Sequence, residues 1–283
     1  MILSVEIKDK KINIIQASKK GEILSIFKCI SINISSGVID GSIADMDYIH
    51  GVLNEALISH GIKTNKAVFV INSNKIIIRK IKLPLLKKKK ETISMLTNEL
   101  AQLIPVDLNL YKFKYEIIKI NDDENNYAHY VVYCMPLNIL NQYYELAGRL
   151  KLKSSSVDVS CNCLNKLSSH NLHINKTVIK DNVAAIAEIR ADKIFFSVLN
   201  KGVTDFSITT MLDNGYSDEA ADELQAAHIA GDFHVNDNFS YKLLDEISNC
   251  IRFYQSIDHE SKINKIYIYG LADNLDSLLL VIS

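Results

Sequence analysis

The chain contains the same opening twice. Ile2–Ile7 is apolar and alternating, Lys8-Asp9-Lys10-Lys11 is a charged turn, and Ile12–Ala17 is a second strand. Lys19-Lys20-Gly21 turns again and Ile23–Ile34 forms a third strand. From Asn182 the plan recurs: Val183–Ile189, the polar turn Arg190-Ala191-Asp192-Lys193, Ile194–Leu199, the turn Asn200-Lys201-Gly202, and Val203–Thr210. Two strands joined by a short polar turn read as a hairpin. Glu6 and Glu188 each sit near the end of the first strand of their set. Such self-similarity predicts two α/β halves with a cleft between them. The alternative is two unrelated hairpins.

Between these sets, apolar spacing marks further elements. Met46–His60 places Ile49, Leu53, Ala56 and Leu57 at helical intervals, with Asp45 or Asp47 as cap and Gly61 as stop. Lys66–Leu83 holds two strands around Asn72-Ser73-Asn74. The stretch Arg79–Ile118 is punctuated by Leu83-Pro84, the lysine run Lys87–Lys90, and the stop Ile104-Pro105. Glu91–Leu103 lies between these proline stops and puts Ile93, Leu96, Leu100 and Leu103 on one helical face. This pattern predicts a small α/β module inserted after a finished strand. Tyr130–Met135 reads as a strand, Leu137–Leu150 as a helix, and Ser154–Val159 as a strand. Ser217–His228 is an acidic helix, Ala230–Phe239 a polar loop, and Tyr241–Tyr254 a helix with a stripe of Leu244, Ile247, Ile251 and Tyr254. Lys265–Tyr269 is a strand running into Gly270.

Bulk properties restrict function. The formal net charge of -1 gives no global attraction to nucleic acid or anionic membrane. No apolar run reaches the roughly 18 residues of a membrane span, and Met1–Lys10 lacks a secretory pattern. The expectation is a cytoplasmic chain with five reduced cysteines. G-x-S-x-G, H-E-x-x-H and Walker A signatures are missing from the sequence. Cys161-Asn162-Cys163 with His170 and His173, and His228 with Asp232 and His234, are weak candidates for metal, read here as ordinary side chains. The run Lys87–Lys90 is read as a solvated helix start, with anionic lipid as the other reading. No aromatic platform accompanies it for nucleic acid.

Several collinear segments resemble the PilM family, the cytoplasmic actin-like proteins of type IV pilus assembly, akin to the division protein FtsA. They are Val38–Asp45 (VIDGSIAD), Val68–Pro84, Glu91–Ile118, Met135–Val159 and, more weakly, Ile251–Gly270. The resemblance implies a duplicated α/β fold of the actin-like, ribonuclease-H-like kind with an inserted FtsA-type subdomain. Residues 1–84 with 151–180 would form the first half, 85–150 the insert, and 181–283 the second half. The stretch from Thr204 to Tyr241 is shorter than in the family, so a reduced second outer subdomain is expected. The chain stops at Ser283 soon after the adenine-side turn, and the usual final strand and helix are expected to be missing.

In the family, two glycine-bearing turns hold nucleotide phosphates, each beside an acid that positions Mg2+ through water. The matching positions here are Glu6, Lys8, Asp9 and Lys10 in the first half, and Glu188, Arg190 and Asp192 in the second. Gly270 begins the adenine-side turn. The glycines of both phosphate turns are replaced by longer side chains, which occupy the space where phosphate approaches backbone N–H groups. The expected reading is a degenerate cleft with no cofactor and no hydrolysis. An active ATP-binding member using ATP with Mg2+ is the alternative, with Lys8, Lys10, Lys11 and Arg190 as phosphate ligands.

The resemblance further implies a structural adaptor recruited to the inner face of the cell membrane. It would bind the N-terminal tail of a PilN-type membrane protein in a groove between the first-half core and the insert. Candidate lining residues are Leu83, Pro84, Leu100, Ile104, Pro105 and Met135, each of which also suits a core. Pilus motor ATPases are further candidate partners. A sugar-kinase-like or ATPase enzyme and a self-associating filament protein are the rival classes.

Overall fold

The computed structural model describes residues 1–8, 10–21, 23–120, 126–169, 173–174, 177–178, 183–190, 193–212, 237–257 and 262–270. The chain forms two compact units, Met1–Ser160 and Cys161–Ser283.

In the first unit, β1 (Ile2–Lys8), β2 (Lys11–Lys20) and β3 (Ile23–Asn33) form an antiparallel meander. A two-strand hairpin follows, β4 (Val38–Ile39) and β5 (Ser42–Ile43), with Ile39 opposite Ser42. Its central residues Asp40 and Gly41 both have positive φ, at 46° and 76°. That is the type I′ requirement, and Asp-Gly meets it cheaply. Helix α1 (Met46–Ser59) starts at Asp45, whose carboxylate accepts from the Tyr48 N–H at 2.9 Å. It ends with the Ile62 N–H donating to the Leu57 carbonyl, past Gly61 at φ 60°. Ile49, Leu53 and Ala56 are buried, as their spacing predicts.

Strand β6 (Lys66–Ile71) lies parallel to β1, and β10 (Ser154–Val159) lies parallel to β6. The sheet order is β10-β6-β1-β2-β3. Alternation along the strands gathers Leu3, Val5, Ile7, Ile12, Ile14, Phe69 and Ile71 on one face, all buried.

Strand β7 (Ile77–Pro84) follows only a short loop after β6, yet it does not join that sheet. It pairs antiparallel with β9 (Tyr127–Pro136), which pairs on its other side with β8 (Tyr111–Ile120). The inserted module therefore takes in β7, and its sheet ends with β9 at Pro136, short of the expected bound at residue 150. Helix α2 (Lys89–Leu103) packs on this three-stranded sheet. Its buried residues are Thr92, Leu96 and Leu100, continued by Ile104, at intervals of four. Ile93 and Leu103, expected on the same face, lie at its margins and are 38% and 49% exposed. A stripe at intervals of four drifts slowly around the helix and excludes both flanks.

Pro136 ends β9, and α3 (Leu137–Arg149) begins at the next residue. Helix α3 packs on β10, β5 and α1. Tyr143 meets Phe69 edge to face, with ring centroids 5.6 Å apart.

The second unit repeats the first. Helix α4 (Ser160–Ser169) and the short pair β11 (His173–Ile174) and β12 (Thr177–Val178) precede the meander β13 (Val183–Ile189), β14 (Lys193–Asn200) and β15 (Val203–Met211). Helix α5 (Asp237–Ile257) follows, and β16 (Lys265–Gly270) lies parallel to β13. Asn165 of α4 accepts hydrogen bonds from the N–H and hydroxyl of Thr204, and this groups the chain from Cys161 with the second unit. One face of the sheet (Ala185, Ala187, Ile189) meets Leu243, Ile247, Cys250 and Tyr254 of α5. The stripe thus starts at Leu243 rather than Leu244 and includes Cys250. The other face (Ala184, Ile186, Leu199) meets Leu164 of α4.

The duplication extends to register. Ile7 faces Ile12 across the first turn, and Ile189 faces Ile194 across the second. Each unit also has a register shift in the second pair of its meander, at Gln16/Ala17 and at Val198/Leu199. These lie the same number of residues beyond Glu6 and Glu188.

Candidate functional site

Each unit carries one of the two turns expected to match phosphate turns. In the first, Glu6 faces Asn13 across β1 and β2. The Asn13 amide donates to Glu6 Oε2 at 2.9 Å and accepts at its own oxygen from the Ser31 hydroxyl at 2.8 Å. Lys8 Nζ lies 3.3 Å from the same Glu6 oxygen, with the two side chains 18% and 25% exposed. Lys10 closes the turn through its carbonyl, which accepts from the Ile34 N–H at 3.0 Å. Asp9 lies outside the described residues.

The second unit has the same arrangement with heavier groups. Arg190 Nε donates to Glu188 Oε1 at 3.1 Å, the side chains being 16% and 7% exposed. The Tyr269 hydroxyl donates to Glu188 Oε2 at 3.2 Å. The Arg190 guanidinium lies 4.3 Å from the centroid of Phe195, a cation–π contact. Asp192 lies outside the described residues. In both units an acid at the end of the first strand holds a cation two residues later. The sequence showed the acids and the cations, but not that they pair.

Gly270 ends β16 opposite Ile189 with φ 123°. A Cβ there would stand 2.1 Å from the Ile189 carbonyl oxygen. Close backbone approach therefore requires glycine here whether or not a ligand is near. Leu271 and Ala272 lie outside the described residues.

The six proposed groove residues do not converge. Leu83, Leu100 and Ile104 are 6%, 0% and 3% exposed and belong to the module core with Leu96, Tyr130 and Val132. Met135 is buried, but it alternates with Cys134 and so faces away from α2. Pro84 is half-buried and Pro105 exposed. The apolar surface that the sequence reading missed lies around Pro105: Leu103, Val106 and Leu110 are all exposed there. Proximity to the Ile104-Pro105 stop was the only available signal.

Burial pushes the Cys134 thiol up to about 11, against a smaller opposing pull from Arg79. Burial raises Cys250 as well. Both suit core thiols. Among the described residues no group of three His, Cys, Asp or Glu side chains gathers to hold a metal. Cys161 lies buried in α4 with its carbonyl accepting from the Thr204 hydroxyl. His170, His228, Asp232 and His234, with all of the expected acidic helix and most of the stretch from Thr204 to Tyr241, fall outside the described residues. No described helix is long and apolar enough to cross a membrane.

No curated protein sequence matches the chain. Among solved structures, the PilM-PilN type IV pilus biogenesis complex superposes with TM-score 0.76 at 14% identity, covering 98% of this chain and 84% of that one. The ethanolamine utilization protein EutJ of Carboxydothermus hydrogenoformans gives TM-score 0.47 at 10% identity, covering 98% and 78%. MreB5 of Spiroplasma citri bound to ADP gives 0.45 at 9%, covering 99% and 88%. The fold is actin-like. The profile of the type IV pilus assembly protein PilM family matches residues 4–283, and the chain belongs to that family.

Proposed function

We propose that this chain is an adaptor of the type IV pilus inner-membrane assembly complex, holding the cytoplasmic N-terminal tail of a PilN-type membrane protein. Its phosphate turns no longer serve a nucleotide. Support for the partner comes from the likeness to a PilM-PilN complex. An extended tail would dock between the first-unit sheet and the module, along the exposed Leu103, Pro105 and Val106, with the buried Leu100 and Ile104 holding that surface in shape. Such a tail would recruit the protein to the inner face of the membrane, where it would meet the pilus motor ATPases.

The observation that carries the second half of the reading is the pair of ion pairs, Glu6 with Lys8 and Glu188 with Arg190. An acid that positions hydrated Mg2+ must present its charge to the ion. Here each acid already holds a protein cation, and long side chains stand in place of the turn glycines. The residues present do not fit a magnesium nucleotide. The persistence of both acids at equivalent positions favours the rival reading, an ATP-binding member. Calorimetric titration with the PilN-type tail peptide, with and without Mg-ATP, separates the two. Equal affinity in both conditions is expected. Binding only with ATP would overturn the reading of the turns, and no binding in either would overturn the adaptor.

A further inference from the structure

β2 and β3 run on past the end of the sheet. β1 makes its last pairing at Ile2 opposite Ala17, while β2 and β3 continue through Ser18 with Ser25, Lys19 with Leu24, and Lys20 with Ile23. These three rungs form a two-stranded ribbon beyond β1, turning at Gly21 with φ 59°. The apolar side chains on it and at its root are in solvent: Ile23 is 71% exposed and Leu24 59% on the ribbon, Ile26 60% and Phe27 56% at its root. Leu24 and Ile26 lie on one face of the ribbon and Ile23 on the other. Phe27 has no partner in β2, because the register shifts there. Met1 and Ile2, at the same end of the sheet, are also exposed. Lys19 and Lys20 are exposed on the adjacent strand.

A cluster of this kind on a protein surface marks a place of contact. Its form restricts what covers it. A flat partner surface covers one face of a ribbon, and this ribbon exposes an apolar side chain on each, Ile23 on one and Leu24 on the other. A further strand added to the β3 edge would meet the register shift at Phe27, a device that twists edges away from pairing. A bilayer surface wets both faces of a projecting tip at once. Lys19 and Lys20 stand opposite Leu24 and Ile23, and their long side chains then extend back to headgroup level, where anionic lipids attract them.

We propose that the β2–β3 tip is a membrane-contact element that inserts Ile23 and Leu24 into the surface of a bilayer bearing anionic lipids, with Ile26 and Phe27 meeting its headgroup boundary. Insertion stays shallow, about 5–10 Å as for other interfacial elements. At that depth water still satisfies the unpaired backbone groups of the outer edge of β3. The contact is independent of the tail-binding reading, since it uses neither the module nor the phosphate turns.

The chain contains no tryptophan, so Leu24→Trp supplies a single reporter on the tip. The full chain would be mixed with vesicles of equal phosphatidylglycerol and phosphatidylcholine, and with vesicles of phosphatidylcholine alone. The expected result is a blue-shifted emission and co-sedimentation with the anionic vesicles, with much weaker binding to the neutral ones. In the otherwise native chain, Leu24→Ser with Phe27→Ser should lower the partition coefficient about tenfold or more. Lys19→Glu with Lys20→Glu should remove the preference for anionic lipid. Both substituted sites are exposed, and an unchanged thermal midpoint would verify that each variant folds. No blue shift with vesicles, or binding untouched by the serine substitutions, would overturn the proposal. So would a blue shift that grows with protein concentration without lipid, which would assign the tip to a second copy of the chain.

Discussion

The Tyr143 hydroxyl donates a hydrogen bond to the Gly41 carbonyl at 3.0 Å. It fixes α3 to the Asp40-Gly41 turn, and Gln142 beside it reinforces the link. The Gln142 side chain accepts from the Ile43 N–H and donates to the Ile43 carbonyl, each at 3.0 Å. Tyr143→Phe leaves the Gly41 carbonyl without this buried donor and should cost about 1–3 kcal/mol. The urea midpoint measures it. A midpoint equal to that of the parent would mean that the bond contributes nothing to holding the helix.

Gly270→Ala should be among the most damaging single changes in the second unit. The added methyl would collide with the Ile189 carbonyl, and the residue would keep φ at 123°. Strain of this kind costs about 1–3 kcal/mol before the collision is counted. Hydrogen exchange is the direct readout, with faster exchange expected at the β13–β16 ladder. Unchanged protection there would show that the strand end relaxes freely.

The module distinguishes core from surface by two substitutions. Leu100 is fully buried, so Leu100→Ala should cost about 2–5 kcal/mol. Val106 is 37% exposed, and Val106→Asp should leave the melting temperature nearly unchanged while weakening tail-peptide binding about tenfold. Calorimetry on both variants checks this. Full affinity in Val106→Asp would move the docking surface elsewhere.

Cys134 gives a pH signature. Its ordinary value is 9.0 and burial raises it to about 11 in the fold. The unfolded chain therefore loses the proton first as pH rises. Stability from the neutral buried thiol is fully present below 9.0 and is lost as pH approaches about 11. The advantage of the parent over Cys134→Ala in urea should shrink across that window. At neutral pH a thiol reagent should modify the exposed Cys29 promptly, and Cys134 and Cys250 only on unfolding. A constant gap between parent and variant through the window would rule out the linkage.

Local features carried much of the architecture. The paired hairpins, the Asp45 cap and the Gly61 stop depend on neighbouring residues, and each was legible in order along the chain. The partner of β7 was not, because the short loop after Ile71 reads as a hairpin turn and sheet membership is decided by distant strands. The equivalent positions of Glu6 and Glu188 at strand ends were legible. Their cations were visible as charges, but alternation alone could not say that Lys8 and Arg190 fold back onto Glu6 and Glu188. Leu83, Leu100 and Ile104 show a general limit, since an apolar residue beside a proline stop suits a groove and a core equally well. Only the packing of α2 against β9 separates these uses.

The absence of any linker between β9 and α3 has a mechanical consequence. β9 is the middle strand of the module, hydrogen-bonded along both sides, and the next residue belongs to a helix packed on the first-unit sheet. Tension on the module along β9 would load its two ladders in shear, where many bonds resist together, rather than peel them one at a time. A pull exerted through a tethered tail would reach the body through this stiff joint with little slack.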